Sequence, residues 1–155
     1  MTRQFLAVLV FAFACGIMSP AWADFTGPVI AVVDGDTIDV LVGRRPVRIR
    51  LAQIDAPEKR QAFGTSSRQA LTTLVFGRSV TATEAGRDRY GRVIGTVYVS
   101  GVNANAEMIR LGMAWVYRKY ATDRSLYALE DEARTARHGL WADPSPVPPW
   151  EFRRR

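Results

Sequence analysis

The chain has 155 residues, with 21 Lys+Arg against 15 Asp+Glu, a net charge of +6, one cysteine and one histidine. Its length suits one compact core, and its basic balance favours a polyanionic partner, nucleic acid or an anionic membrane face. With only Cys15 and His138 available, zinc sites built on His or Cys, a cysteine nucleophile and a Ser-His-Asp triad are excluded; the same scarcity argues against a histidine general base and leaves carboxylates and arginines, with or without a metal, to carry the chemistry.

Met1 to Gln4 carries one positive charge, Phe5 to Met18 is apolar, and Ala21-Trp22-Ala23 fits the small-x-small rule for cleavage before Asp24. Residues 1–23 therefore read as a secretory signal peptide, too short for a membrane span of roughly 20 apolar residues. The expected products are an exported domain over 24–142 and a Pro-rich, basic tail over 143–155. Removing the leader takes the net charge from +6 to +5 and discards Cys15, so the mature domain is stabilised by packing, without a disulfide. It is expected to be monomeric and free of stable membrane association, in the periplasm or outside the cell.

From Gly27 to Gln53 the pattern is that of strands. Asp34-Gly35 joins two β-rich runs as a hairpin signal. Gly43 to Pro46 makes a second turn, and Val47 to Gln53 sets Val47, Ile49 and Leu51 on one face against Arg48 and Arg50 on the other. Pro57 closes that run, and a charged loop follows to Gly64. Thr65 or Ser66 is expected to cap a helix reaching Phe76. Strands are predicted over Ser79–Glu84 and Val93–Val99, around the turn-rich segment 85–91. A short helix capped by Asn103 ends at Gly112, and a last helix begins near Asp123, buries Leu126, Leu129, Ala133 and Ala136, and stops at Gly139. The prolines of 143–149 cannot continue it, and Arg153-Arg154-Arg155 is expected to be mobile. Three strands, a helix, two strands and then helices describe an α+β domain with a five-stranded oligonucleotide-binding (OB-fold) β-barrel and about three helices.

Three blocks carry the chemistry. Asp34 and Asp36 share strand parity in VVDGDTI and could project from one rim, a carboxylate pair suited to a hard cation such as calcium. Arg50, Asp55 and Glu58 lie in RIRLAQIDAPE. Five residues separate Arg50 from Asp55, so perfect alternation puts them on opposite faces and a bend near Ala56 is required. Pro57 holds Ala56 extended and leaves its carbonyl free as a possible ligand. Arg92 ends DRYGR, where its guanidinium fork could hold two phosphate oxygens. Downstream, Tyr117 and Tyr120 stand among Arg118 and Lys119, a mix suited to a stacked base beside its phosphate, whereas Trp115 is expected to pack inward. Taken singly, each of these residues also has an ordinary reading as a turn, a cap or a solvated side chain.

Together, and in this order, VVDGDTI, RIRLAQIDAPE, DRYGR and NAEMIRLGMAW resemble the staphylococcal-nuclease-like, or thermonuclease, family over roughly Gly27 to Trp141. The resemblance implies a five-stranded oligonucleotide-binding barrel with three helices, and calcium-dependent hydrolysis of DNA and RNA that leaves 3′-phosphate ends. It implies Asp36, Asp55 and the carbonyl of Ala56 as direct calcium ligands, Asp34 acting through water, Arg50 and Arg92 on the phosphate, and Glu58 on the attacking water. The loop after Glu58 is shorter than in the best-known member, and the aromatics at 115–120 do not align one for one. The rival readings are an OB-fold nucleic-acid-binding module without hydrolysis and an exported basic barrel that binds an acidic polymer or protein.

Overall fold

A computed structural model describes residues 24–155; the expected signal peptide lies outside the described residues. Five long strands, β1 (Asp24–Asp34), β2 (Thr37–Val42), β3 (Arg45–Leu51), β5 (Ser79–Arg87) and β6 (Val93–Val99), form the barrel. They run in the order β3-β2-β1-β5-β6, and a parallel pairing of β3 with β6, Ile49 opposite Val93 and Arg50 opposite Ile94, closes the sheet. Closure removes the exposed edges that an open sheet would present. Bulges between Val29 and Ala31 and between Val32 and Asp34 bend β1, as a small barrel requires. Short strands β4 (Ile54–Asp55) and β8 (Trp115–Val116) pair with each other outside the barrel, and β7 (Val102–Asn103) extends β6.

The alternation of the strands is explained by the core. Val29, Ile38, Val40, Ile49, Leu51, Val80, Ala82, Val93 and Val97 fill the interior, while Arg48 and Arg50 stay on the outer face. Helix α1 (Gly64–Val75) adds Leu71 and Val75, α2 (Ala104–Arg110) adds Met108 and Ile109, and α3 (Ser125–Thr135) adds Leu126. Trp115, Ala133, Leu140 and Trp141 make a second cluster against which Phe63 and Trp150 pack. Trp115 is inward, as expected. Among the described residues no helix is long and apolar enough to cross a membrane.

Several expectations are corrected. The third strand ends at Leu51, not Gln53, because the chain turns at Ala52–Gln53 with Gln53 at φ 66°. That turn, rather than a bend near Ala56, resolves the parity conflict between Arg50 and Asp55. Helix α1 starts from Phe63 with no side-chain cap. Ser67, buried in its first turn, spends its hydroxyl on the Met113 carbonyl at 2.6 Å. Asn103 caps α2 as expected, accepting from the Ala106 amide. In α3 the buried stripe contains Glu130 in addition to Leu126 and Ala133, while Ala136 is exposed. The tail carries a short helix, α4 (Pro149–Phe152), and Arg153 is not free: it is bound by Asp55 and Glu58.

Candidate active site

The β1–β2 connection places the first two acids. Asp34 ends β1, and its Oδ1 accepts the Asp36 amide at 3.1 Å, an Asx turn that aims Asp36 back over the barrel rim. The pair is therefore set by a turn, not by strand alternation. Gly35 is demanded by space: a Cβ there would collide with Ser67 Oγ and press on Ala56 Cβ at 2.8 Å. Asp36 is 6% exposed, and its Oδ2 accepts the Ala56 amide at 2.9 Å, which brings the β4 end to the turn.

Arg50 joins the second block to the first. Its Nη1 donates to the carbonyls of Leu51 and Ile54, wrapping the Ala52–Gln53 turn, and its Nη2 donates to Asp55 Oδ1 at 2.9 Å and lies 3.2 Å from Asp36 Oδ2. One guanidinium thus fixes the bend and gathers both carboxylates. Asp55 is 1% exposed, and burial pushes its carboxyl up despite hydrogen bonding from Arg153. Asp34 is pushed up to about 6, first by burial and then by the Asp36 charge. Glu58 stands half-exposed at the mouth, its Oε1 2.8 Å from Arg153 Nη1.

Arg92 is not brought into contact with these acids. Its Nε donates to Asp88 Oδ2 at 2.6 Å, and it lines a separate cleft of about 690 Å³ with Arg48, Arg87 and Tyr90. Burial would raise the Asp88 carboxyl, but hydrogen bonds from the Arg92 side chain and the Arg92 and Tyr90 amides outweigh it and hold the group low. The aromatic and basic run is divided as well. Tyr117 meets Tyr120 edge-on at 4.9 Å and is stacked on Trp150, and Lys119 lies over the Tyr120 ring. Arg118 is drawn away to Glu130 and the Tyr127 ring.

Three supporting residues received no role from the sequence, although Asn105 opens the block NAEMIRLGMAW and Gln53 lies within RIRLAQIDAPE. Asn105, buried in α2, accepts the Val97 amide and donates to the carbonyls of Ala52 and Gly95, pinning the bend to β6. Gln53 accepts the Thr122 and Asp123 amides. Glu130, 1% exposed, accepts the Val116 amide and so holds β8, the partner of the strand that carries Asp55. The sequence signal for Glu130 is an acid at a stripe position of α3, and for Asn105 an amide two residues past a helix cap.

The profile of the staphylococcal nuclease homologue family matches residues 48–143, most of the described chain. The chain belongs to this family. It is 51% identical to a micrococcal nuclease of Shigella flexneri over 87% of its length and 84% of that protein. It is 47% identical to an uncharacterized endonuclease of Escherichia coli over 99% of both chains, and 50% identical to Protein ParB of Escherichia coli over 99% of its length and 95% of that protein. The closed five-stranded barrel with α1, α2 and α3 around it agrees with the fold expected for the staphylococcal nuclease homologues.

The candidate cation ligands, Asp34, Asp36, Asp55 and the Ala56 carbonyl, are all oxygen donors. Among the described residues no three His, Cys, Asp or Glu side chains are already gathered as a cation cage. Two buried carboxylates facing one nitrogen of Arg50 nevertheless fit a hard divalent cation, which takes carboxylate, carbonyl and water oxygens.

Proposed function

We propose that this chain is an exported, calcium-dependent nuclease that hydrolyses the phosphodiester bonds of DNA or RNA and leaves 3′-phosphate ends. The chain is a nuclease, a hydrolase acting on nucleic acid, by its family and its relatives. To that we add the cation, the products and the compartment. The observation that carries the reading is the convergence of buried Asp36 and Asp55 on Arg50 Nη2, at 3.2 and 2.9 Å.

Asp36, Asp55 and the Ala56 carbonyl would hold calcium, with Asp34 acting through water. When bound, calcium supplies positive charge to a phosphate oxygen and orients the attacking water. Glu58 takes the proton of that water as its oxygen adds to phosphorus. The bond to the 5′-oxygen breaks, and the departing oxygen gains a proton from solvent, leaving a 3′-phosphate and a 5′-hydroxyl. Arg50 holds an equatorial oxygen as charge builds, and Arg92 becomes a second grip on leaving Asp88. Neither arginine is a proton donor, because a guanidinium does not deprotonate in a protein. Tyr120 and Lys119, both exposed, offer a base platform and a phosphate contact beside Tyr117. The leader-like residues 1–23 support a periplasmic or secreted location.

The test is digestion of plasmid DNA and of RNA by the purified protein in calcium and in chelator, with end-group analysis. Activity confined to calcium, lost in Asp36→Ala, is expected. Glu58→Gln should lower kcat about 100-fold or more with little change in nucleic-acid binding. Full activity of Asp36→Ala in chelator would refute the assignment.

A further inference from the structure

The C-terminal segment lies beyond the family match, which ends at residue 143, yet it reaches the centre of the site. Arg153 Nη2 donates to Asp55 Oδ2 at 2.7 Å, and its Nη1 donates to Asp55 Oδ1 at 3.2 Å and Glu58 Oε1 at 2.8 Å. With Arg50 already on Oδ1, both oxygens of Asp55 are engaged by guanidinium donors. One residue thus occupies an acid assigned to the cation and the acid assigned to the water.

The same segment covers an aromatic assigned to the substrate. Trp150 lies parallel to Tyr117, with 2° between the planes and 5.5 Å between centroids, and it meets Trp115 edge-on at 5.7 Å. Gln61 Nε2 donates to the Val147 carbonyl at 2.6 Å and holds the approach to α4. The attachment lies outside the barrel core: Pro149 is buried and Trp150 packs on the smaller Trp115–Trp141 cluster. The Arg153 side chain is 40% exposed. A cavity of about 170 Å³, lined by Phe63, Trp115, Leu140, Val147 and Phe152 among others, runs along the seam. A terminal segment of this size, held by ion pairs, two aromatic contacts and one hydrogen bond over an incompletely filled seam, can detach while the barrel stays folded.

We propose that Arg153 is an internal competitor of the divalent cation at Asp55, and that the segment 149–153 is a latch whose release sets the cation concentration at which the nuclease loads. The inference rests on the calcium reading above. A cation reaching Asp55 displaces the guanidinium, since the two positive groups claim the same carboxylate oxygens. Displacement frees Glu58 as a base at the same moment and loosens Trp150 from Tyr117. Cation binding, activation of the carboxylate and exposure of Tyr117 beside the base platform are thereby coupled through one side chain.

The experiment is calorimetric titration of calcium into the full mature chain, in wild-type, Arg153→Gln, Arg153→Lys and Asp36→Ala forms, together with hydrogen exchange of the 150–155 amides. A latch closed about nine-tenths of the time weakens apparent affinity about tenfold, since only the open fraction binds. Arg153→Gln is therefore expected to bind calcium about tenfold more tightly than wild type, and Arg153→Lys, with a charge but no fork, in between. Saturating calcium should speed exchange at 150–155 in wild type, and Arg153→Gln should show fast exchange without calcium. Equal or weaker calcium binding by Arg153→Gln, with binding still abolished in Asp36→Ala, overturns the latch and leaves the proposed function standing. No calcium binding in either wild type or Arg153→Gln overturns both.

Discussion

Replacing Glu130 should separate a buried electrostatic support from an ordinary surface ion pair. Its carboxylate is 1% exposed, with Oε1 on the Val116 amide at 2.9 Å and Oε2 on Arg118 and Arg134 at 2.9 and 3.2 Å. Both guanidiniums are reached by solvent, so each pair contributes little, about 0–1 kcal/mol. The amide is different, because Val116 is fully buried and leaving its N–H unpaired costs about 1–3 kcal/mol. The volume left by truncation adds about 1 kcal/mol. Glu130→Ala should therefore lose about 2–6 kcal/mol. Glu130→Gln keeps an oxygen for Val116 while the arginines turn to water, and should lose only about 1–2 kcal/mol. Urea denaturation in chelator reads both, through a shift in midpoint at constant slope. Because β8 pairs with β4, Ile54 opposite Val116 and Asp55 opposite Trp115, Glu130→Ala should also weaken calcium binding under conditions where it remains folded. A loss below about 1 kcal/mol for Glu130→Ala, or equal losses for the two variants, would refute this account of β8.

Asp34 gives a pH signature. Its folded value of about 6 against an ordinary 3.8 means that between these values the folded state keeps a proton the unfolded chain has lost. Stability from this group is therefore intact below pH ~4 and falls as pH rises to ~6, by at most about 3 kcal/mol. Asp34→Asn cannot lose it, so its thermal stability in chelator should gain on wild type as pH rises from ~4 to ~7; a difference that stays constant across that range would sink the assignment. Gly35→Ala should cost about 1–3 kcal/mol by forcing apart the turn, Ser67 and Ala56, and should cut calcium affinity through the displaced Asp36. Unchanged melting and calcium affinity would show that the turn has room.

The barrel was legible because its causes are local. Alternation in β2, β3 and β6 and the Asp34-Gly35 turn specify strands and one hairpin within a few residues. The demand for a bend between Arg50 and Asp55 was also local, since it followed from counting. Its location was not. Ala52 and Gln53 carry no breaker residue, and Gln53 is held at φ 66° by distant partners: its carbonyl accepts the Tyr117 amide and its side chain accepts the Thr122 and Asp123 amides, while Asn105 takes the Ala52 carbonyl. Pro57 was the stronger local signal for a break, but tertiary hydrogen bonding placed the turn earlier.

The same contrast explains the tail. Prolines followed by three arginines satisfy no local rule for order, and a four-residue helix such as α4 has too few internal hydrogen bonds to stand alone. What fixes it is an excess of negative charge elsewhere. Asp36 and Asp55 meet at Arg50, and Asp55 is joined to Glu58 through Arg153, while Arg50 compensates one charge and spends its Nη1 on backbone carbonyls. Buried and clustered acids attract any cation the chain can deliver, and Arg153 is within reach because Trp150 anchors the segment on Tyr117. The order of the tail is thus a consequence of the acids 95 and 98 residues before it. The negative charge on which the proposed metal role rests is the same charge that closes the site upon an arginine.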